Sequence, residues 1–130
     1  MTATRILVVE DNAKNMKLVR DVLEYAGYEV IEATSGEDGV RLAEVERPQL
    51  ILMDLQLPGI DGVETLRQIR VGRDGRGGQD TPVVAVTAFA MDEDRARAFA
   101  SGFDGYVEKP INVRRFREQV QGFLDGGESP

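Results

Sequence analysis

Five side chains with polar chemistry sit at matching places in this sequence, each just after a short apolar run. Glu10 and Asp11 follow Ile6-Leu7-Val8-Val9, and Asp54 follows Leu50-Ile51-Leu52-Met53. Thr87 closes Val83-Val84-Ala85-Val86, and Lys109 comes soon after Gly105-Tyr106-Val107. Any one of them reads as a cap or a loop residue, since a lone strand-end aspartate often does no more than that. Together they suggest a site. Three carboxylates brought within a few ångströms repel, and the repulsion raises a pKa or costs stability unless a cation sits among them. The chain has no histidine and no cysteine, so any metal must be held by oxygen. That favours a hard divalent ion such as Mg²⁺, with Mn²⁺ or Ca²⁺ as alternatives. Lys109 adds a compact charge suited to a phosphoryl group, and Thr87 adds a hydroxyl donor.

The same composition excludes much else. Without histidine or cysteine there is no Ser-His-Asp or Cys-His catalysis, no thiolate metal site and no disulfide. A net charge of −7 argues against gripping nucleic acid through its phosphates. No apolar stretch approaches membrane length and no signal-peptide pattern precedes Ile6, so a soluble, cytoplasmic protein is expected, with neither nucleic acid nor membrane as partner. At 130 residues the chain reads as one domain, with a core over about 5–124 and a frayed tail beyond.

The elements that must carry the five residues follow from pattern. Unbroken apolar runs at 6–9, 50–53 and 83–86 are those of strands buried on both faces, as in a parallel sheet. Asn12 is placed to cap a helix running to about Ala26, with Met16, Val19, Leu23 and Ala26 inward and Gly27 as the stop. Tyr28 to Ala33 reads as a strand. Ser35 with Asp38 has capping-box form and opens a helix to about Arg47; Asp61 with Glu64 has the same form and opens another before the loop that begins at Val71. Val63, Leu66 and Ile69 are expected inside the second of these. The Gly- and charge-rich stretch up to Thr81 reads as a surface loop without chemistry. A helix over about Met91 to Ser101 has only a thin apolar stripe, and Gly102 stops it. Asn112 caps a last helix with Val113, Phe116, Val120 and Phe123 inward. Strands alternating with helices five times predict an α/β fold, a doubly wound parallel sheet with helices on both faces. In such sheets ligands sit at the carboxyl ends of the strands, where all five polar residues fall.

The blocks Val8-Val9-Glu10-Asp11-Asn12, Met53-Asp54-Leu55-Gln56-Leu57-Pro58-Gly59-Ile60-Asp61-Gly62, Val86-Thr87-Ala88 and Lys109-Pro110-Ile111 together resemble the receiver domains of two-component response regulators. The likeness covers nearly everything from Arg5 to Leu124. Within that family, Asn12 to Leu18 and Thr87-Ala88-Phe89-Ala90-Met91 look most like its single-domain, DivK-like, cell-cycle-type members. The resemblance implies a CheY-like sheet of strand order 2-1-3-4-5 and Asp54 as phosphoacceptor. It implies Mg²⁺ held by Asp11, Asp54 and the backbone carbonyl of Gln56, with Glu10 acting mainly through a water. Many relatives carry Asp where this chain has Glu10. Lys109 would pair with the phosphoryl group, its bond to Pro110 would be cis, and Thr87 with Tyr106 would form a switch pair.

The resemblance implies a signalling domain that modifies itself, not a turnover enzyme on an outside substrate. Lacking histidine, it needs a phosphohistidine donor from another protein, a histidine kinase or a phosphotransfer protein, docking on the first helix near Asn15 to Val19. Its output would be protein contact or onward relay, through the face from Met91 to Leu124 with Met91, Phe99 and Arg114 exposed on it. Three rivals fail on residues. A haloacid-dehalogenase hydrolase needs an acid where Gln56 stands. A flavodoxin needs a phosphate-accepting loop where Glu10 and Asp11 stand, and a Walker NTPase needs a Gly-rich loop with Lys and Ser or Thr. A phosphorylation-independent adaptor on the same fold is the remaining alternative.

Overall fold

The structure, a computed structural model, describes residues 3–72, 80–88 and 91–126. Ten elements alternate without exception: β1 (Arg5–Val9), α1 (Ala13–Tyr25), β2 (Glu29–Ala33), α2 (Gly36–Glu46), β3 (Leu50–Met53), α3 (Gly62–Val71), β4 (Val83–Thr87), α4 (Asp92–Ala100), β5 (Gly105–Glu108) and α5 (Val113–Leu124). The strands form one parallel sheet in the order β2-β1-β3-β4-β5. Most of the Gly-rich stretch after Val71, Phe89 and Ala90, and the tail from residue 127 lie outside the described residues.

Successive residues of a strand point to opposite faces, and here both faces are filled. Ile6, Val8, Leu50, Leu52, Val84 and Val86 pack with Met16, Val19 and Leu23 of α1 and Phe116, Val120 and Phe123 of α5. Leu7, Val9, Ile51, Met53 and Ala85 pack on the other side with Leu66 and Ile69 of α3 and Ala98 of α4. This two-sided burial is why the central strands read as continuous apolar runs rather than alternating ones.

The caps fall where the sequence puts them. The side chains of Asn12, Ser35, Asp61 and Asn112 accept from the backbone N–H three residues on, at 2.9–3.1 Å. Glu64 is drawn away from a reciprocal capping-box role, and accepts from Arg67 and Gln68 instead. Gly27 and Gly102 end α1 and α4 with φ of +97° and +106°, a conformation that glycine adopts without strain.

Two inward assignments fail. Val63 is 45% exposed, because α3 buries Gly62, Thr65, Leu66 and Ile69. That stripe follows i, i+3, i+4, i+7, whereas steps of three alone rotate out of it. Val113 is 48% exposed. It has the right angular phase, but it is the first residue of α5, next to the Asn112 N-cap. On α1, Val22 joins the buried face, while Ala26 is a half-buried C-cap. The thin stripe expected on α4 is real: Ala98 is its one buried residue.

These exposures have a direct consequence for stability. Phe116→Ala, which empties a fully buried ring site, should lose about 3–5 kcal/mol in urea unfolding. Val113→Ala should stay within about 0.5 kcal/mol of the parent. A loss at Val113 comparable with that at Phe116 would return Val113 to the core.

Candidate functional site

The sheet ladder itself delivers the polar residues to one edge. The Glu10 N–H donates to the Ala33 carbonyl (2.9 Å), the Asp54 N–H to Val9 (3.0 Å) and the Lys109 N–H to Thr87 (2.8 Å). Each of these residues is thus the next rung after its strand, and parallel pairing brings those rungs to the same edge. Glu10 is 3% exposed and Asp54 8%, whereas Asp11, one residue on, is exposed.

Local hydrogen bonds fix how each carboxylate faces. Oε2 of Glu10 accepts the Asn12 N–H at 3.1 Å, just before the first turn of α1. Oδ1 of Asp54 accepts the Gln56 N–H at 3.0 Å, which curls the chain past the end of β3. The remaining oxygens meet Lys109, whose Nζ donates to Oε1 of Glu10 at 2.6 Å and to Oδ2 of Asp54 at 3.0 Å. The Lys109-Pro110 peptide is cis, as expected from the resemblance.

Glu10, Asp11 and Asp54 each offer an oxygen, all within 4.8 Å of one another. At an effective dielectric near 20, two unit charges at that separation repel by about 3.5 kcal/mol, and a unit pair at 2.6–3.0 Å attracts by roughly 5–6 kcal/mol. Lys109 therefore more than offsets the repulsion between Glu10 and Asp54. The ammonium is thus already engaged within the cluster. Burial pushes the Glu10 carboxyl above the ordinary glutamate value, opposed by its bonds from Lys109 and Asn12. Burial also works against the Lys109 ammonium, but the bonds to Glu10 and Asp54 outweigh it and hold Lys109 above the usual lysine value. Lys109 is charged at neutral pH.

A divalent cation fits this donor set. The oxygens are hard and clustered, one carboxylate is solvent-facing, and among the described residues no nitrogen or sulfur ligand competes. Gln56 stands two residues beyond Asp54, on the exposed loop between β3 and α3.

Thr87 is fully buried at the end of β4, and Tyr106 of β5 is 7% exposed. In register Ala85 pairs with Tyr106 and Thr87 with Glu108, so Thr87 and Tyr106 belong to the same face of adjacent strands. The Tyr106 hydroxyl is buried without a hydrogen-bond partner among the described residues. Burial raises its pKa, so it stays a donor. It borders a groove of about 320 Å³ between α4 and α5, lined also by Arg95, Phe99, Arg115, Gln119 and Phe123. The Arg95 guanidinium lies over the Phe99 ring, 5.7 Å from its centre.

The residues expected to share an output face divide. Met91 is 65% exposed at the start of α4, and Phe99 lines the α4–α5 groove. Arg114 instead faces α1, beside Ala26, Tyr28 and Arg117. Its neighbour Arg115 takes the place beside Tyr106, because one residue along a helix turns the side chain by about 100°. Arg95 and Arg115 were missed by sequence reading, although Arg115, Gln119 and Gly122 do follow a helical stripe.

The response regulator receiver domain family matches residues 6–121. The chain belongs to that family. It is 44% identical over 119 residues to the polar-differentiation response regulator DivK of Brucella ovis, covering 92% of this chain and 94% of that protein. DivK of Brucella anthropi matches to the same extent. Among solved structures, a CheY-like receiver domain protein from Methanospirillum hungatei JF-1 superposes with a TM-score of 0.84 at 30% identity, covering 96% of each chain. The receiver domain of a sensor histidine kinase from Pseudomonas aeruginosa PAO1 has a TM-score of 0.84 at 33% identity, covering 95% of this chain and 99% of its own. That structure holds a magnesium ion in its active-site cleft. The CheY-like fold and the DivK-like character read from the sequence are thereby shown for this receiver domain. Among its described residues no helix is long and apolar enough to cross a membrane.

If Lys109 is what reconciles Glu10 with Asp54, removing its charge should be costly. Lys109→Met should lose about 3 kcal/mol of stability in metal-free urea unfolding, the usual scale for breaking a buried pair. Mg²⁺ should then stabilise the variant more than the parent, by mass action at the relieved site. Equal metal-free stability of the two proteins would refute the counter-charge role.

Proposed function

We propose that Asp54 accepts a phosphoryl group from a phosphohistidine on a histidine kinase or a phosphotransfer protein. The observation that carries this reading is the Asp54 carboxylate itself. It stands at the end of the central strand, oriented by the Gln56 N–H and flanked by the Lys109 ammonium. In the transfer one carboxylate oxygen forms a bond to phosphorus while the phosphorus–nitrogen bond of the donor breaks, and the imidazole leaves. This chain has no histidine, so that nitrogen belongs to the partner. The partner docks over the strand ends and the first turns of α1, near Asn15 to Val19.

Phosphoryl transfer asks mainly for positioning and neutralised charge. Mg²⁺ held by Asp11, Asp54 and the Gln56 carbonyl, with Glu10 behind them, supplies charge neutralisation for the phosphoryl oxygens. Lys109 shifts its contact from Asp54 Oδ2 to a phosphoryl oxygen, keeping a positive charge beside the transferred group. Thr87 donates its hydroxyl to another phosphoryl oxygen. Its movement towards the site changes the space open to Tyr106 on the same face of the sheet. Tyr106 and the α4–α5 groove then report the state of Asp54 to a downstream protein, or the phosphoryl group passes on. The domain acts on itself, in the cytoplasm, rather than turning over an external substrate.

Incubated with Mg²⁺ and acetyl phosphate, the intact protein should gain one phosphoryl group by mass spectrometry. Chelator, or Asp54→Asn, should abolish the gain. Label that survives either change would remove Asp54 from this role, and no label at all would favour an adaptor that works without phosphorylation.

Thr87→Ala separates signalling from acceptance. It should still take the label, because Asp54 and Lys109 remain. Its amide shifts from residue 91 to 116 on adding beryllofluoride, a phosphoryl mimic, should be much smaller than in the parent. A full set of parent-like shifts would mean that the signal bypasses the Thr87 hydroxyl.

A further inference from the structure

Charge is unevenly placed on the helices of this chain. α2, α3 and α4 open with acidic residues (Glu37 and Asp38, Glu64, and Asp92 to Asp94), as the positive end of a helix dipole favours. α1 and α5, which pack on the same face of the sheet, open with none. α5 instead carries Arg114, Arg115 and Arg117 in its first turns. All three are exposed, and none forms an ion pair among the described residues. They stand where the dipole least favours a cation, in a chain of net charge −7 that has acidic residues to spare. An anion from outside the chain would offset that cost.

Two of the three border an apolar surface. The Arg117 guanidinium lies over the Tyr25 ring, 5.6 Å from its centre, and Tyr25 is 83% exposed. Leu18, 42% exposed, comes seven residues earlier and so lies on the same face of α1. Arg114 and Gln121 share a face of α5 by the same spacing, with Arg117 between them. Between the two helices runs a groove of about 570 Å³, lined by Ala26, Tyr28, Arg114, Arg117, Glu118 and Gln121. The Tyr28 hydroxyl donates to Oε1 of Gln121 at 3.0 Å, which ties the start of β2 to α5 across the groove.

We propose that the α1–α5 groove docks an acidic amphipathic helix of a partner protein. Its carboxylates meet Arg114 and Arg117, and its apolar side chains cover Tyr25 and Leu18. Each wall runs for seven residues, about 10 Å or two turns, the span over which a helix offers i, i+3, i+4 and i+7 anchors. Exposed tyrosine beside unpaired arginine is also the composition of interface hot spots. A small anion would leave Tyr25 and Leu18 uncovered, and a polyanionic surface would be repelled by the net charge of −7. A second copy offering the same face would set arginine against arginine. The groove is on the other flank of α5 from Arg95, Tyr106 and Arg115, and its role does not depend on Asp54 accepting a phosphoryl group. Leu18 also borders the region assigned to the phosphoryl donor, whereas Tyr25, Arg114 and Arg117 lie outside it.

A synthetic peptide of about 16 residues, long enough to be helical in water, serves as probe, with leucine at i, i+3, i+4 and i+7 positions and glutamate elsewhere. Added to ¹⁵N-labelled protein, it should shift the amides around Tyr25 and from residue 114 to 121, and leave those from residue 92 to 107 in place. Added salt should weaken the binding. Arg114→Glu combined with Arg117→Glu should weaken it about tenfold or more, the scale of two exposed charge pairs reversed. Arg95→Glu combined with Arg115→Glu, on the α4 side, should weaken it far less. Should the first double variant fail to fold, Arg114→Gln with Arg117→Gln replaces it, with the same loss expected in smaller measure. Equal shifts from inorganic pyrophosphate, or from a peptide of glutamate alone, would make the groove a general anion site and overturn the helix assignment. Shifts confined to the α4–α5 groove, full binding by the Arg114 and Arg117 variants, or no binding at all would overturn it too. Self-association of the protein alone in sedimentation, lost in Arg117→Glu, would give the groove to a second copy instead.

Discussion

The Lys109 ammonium between Glu10 and Asp54 is the contact on which the site depends. Without it, two nearly buried carboxylates would face each other at the edge of an apolar sheet, where each needs a partner or a proton. With it, both Glu10 and Asp54 have a cation within hydrogen-bond distance. The cost of burying charge is offset locally, by one cation serving two anions. The same sharing makes the site responsive, because anything that competes for Asp54 changes what Lys109 must do.

The rest of the fold serves to make that contact possible. Glu10 and Lys109 are 99 residues apart in sequence, and Lys109 and Asp54 are 55 apart. They meet because β1, β3, β4 and β5 lie side by side and parallel, each ending at the same edge. The backbone N–H groups of Glu10, Asp54 and Lys109 each close the last rung with a neighbouring strand, which ties these three residues to the ladder. Apolar packing on both faces holds the strands in that register, since a slip by one residue would turn every buried side chain to the opposite face. Function sits on loops one residue beyond a rigid frame.

Moving outward from the site, the structure softens in a graded way. Thr87 is fully buried, Tyr106 nearly so but with a hydroxyl that has no hydrogen-bond partner among the described residues, and Ala98 is the one buried residue of α4. A buried hydroxyl without a partner is a small stored cost, which a change in its surroundings can relieve. An element with few apolar contacts is the natural place for a second conformation of similar energy. Under the phosphoryl transfer proposed for Asp54, these features would let the α4–α5 groove, with Arg95 and Arg115 on its walls, differ between the two states.

Much of this was legible in the sequence alone. Buried strands announced themselves as apolar runs, and Asn12, Ser35, Asp61 and Asn112 marked helix starts, because capping is a local matter of three or four residues. The position of Glu10, Asp11, Asp54, Thr87 and Lys109 just past those runs was enough to predict a cation and phosphoryl site in an α/β fold. Periodicity failed at the first residue of a helix, as at Val113, and where a stripe was counted in threes, as at Val63. What only the tertiary structure decided is which charges pair. That Lys109 is bound to Glu10 as well as Asp54, that Asp11 is the carboxylate left open, and that Arg115 rather than Arg114 stands beside Tyr106 all depend on distances between elements remote in the chain. Residue types and spacings specify who reaches the edge of the sheet, but electrostatic pairing across it is settled by ångström-scale geometry that no local pattern encodes.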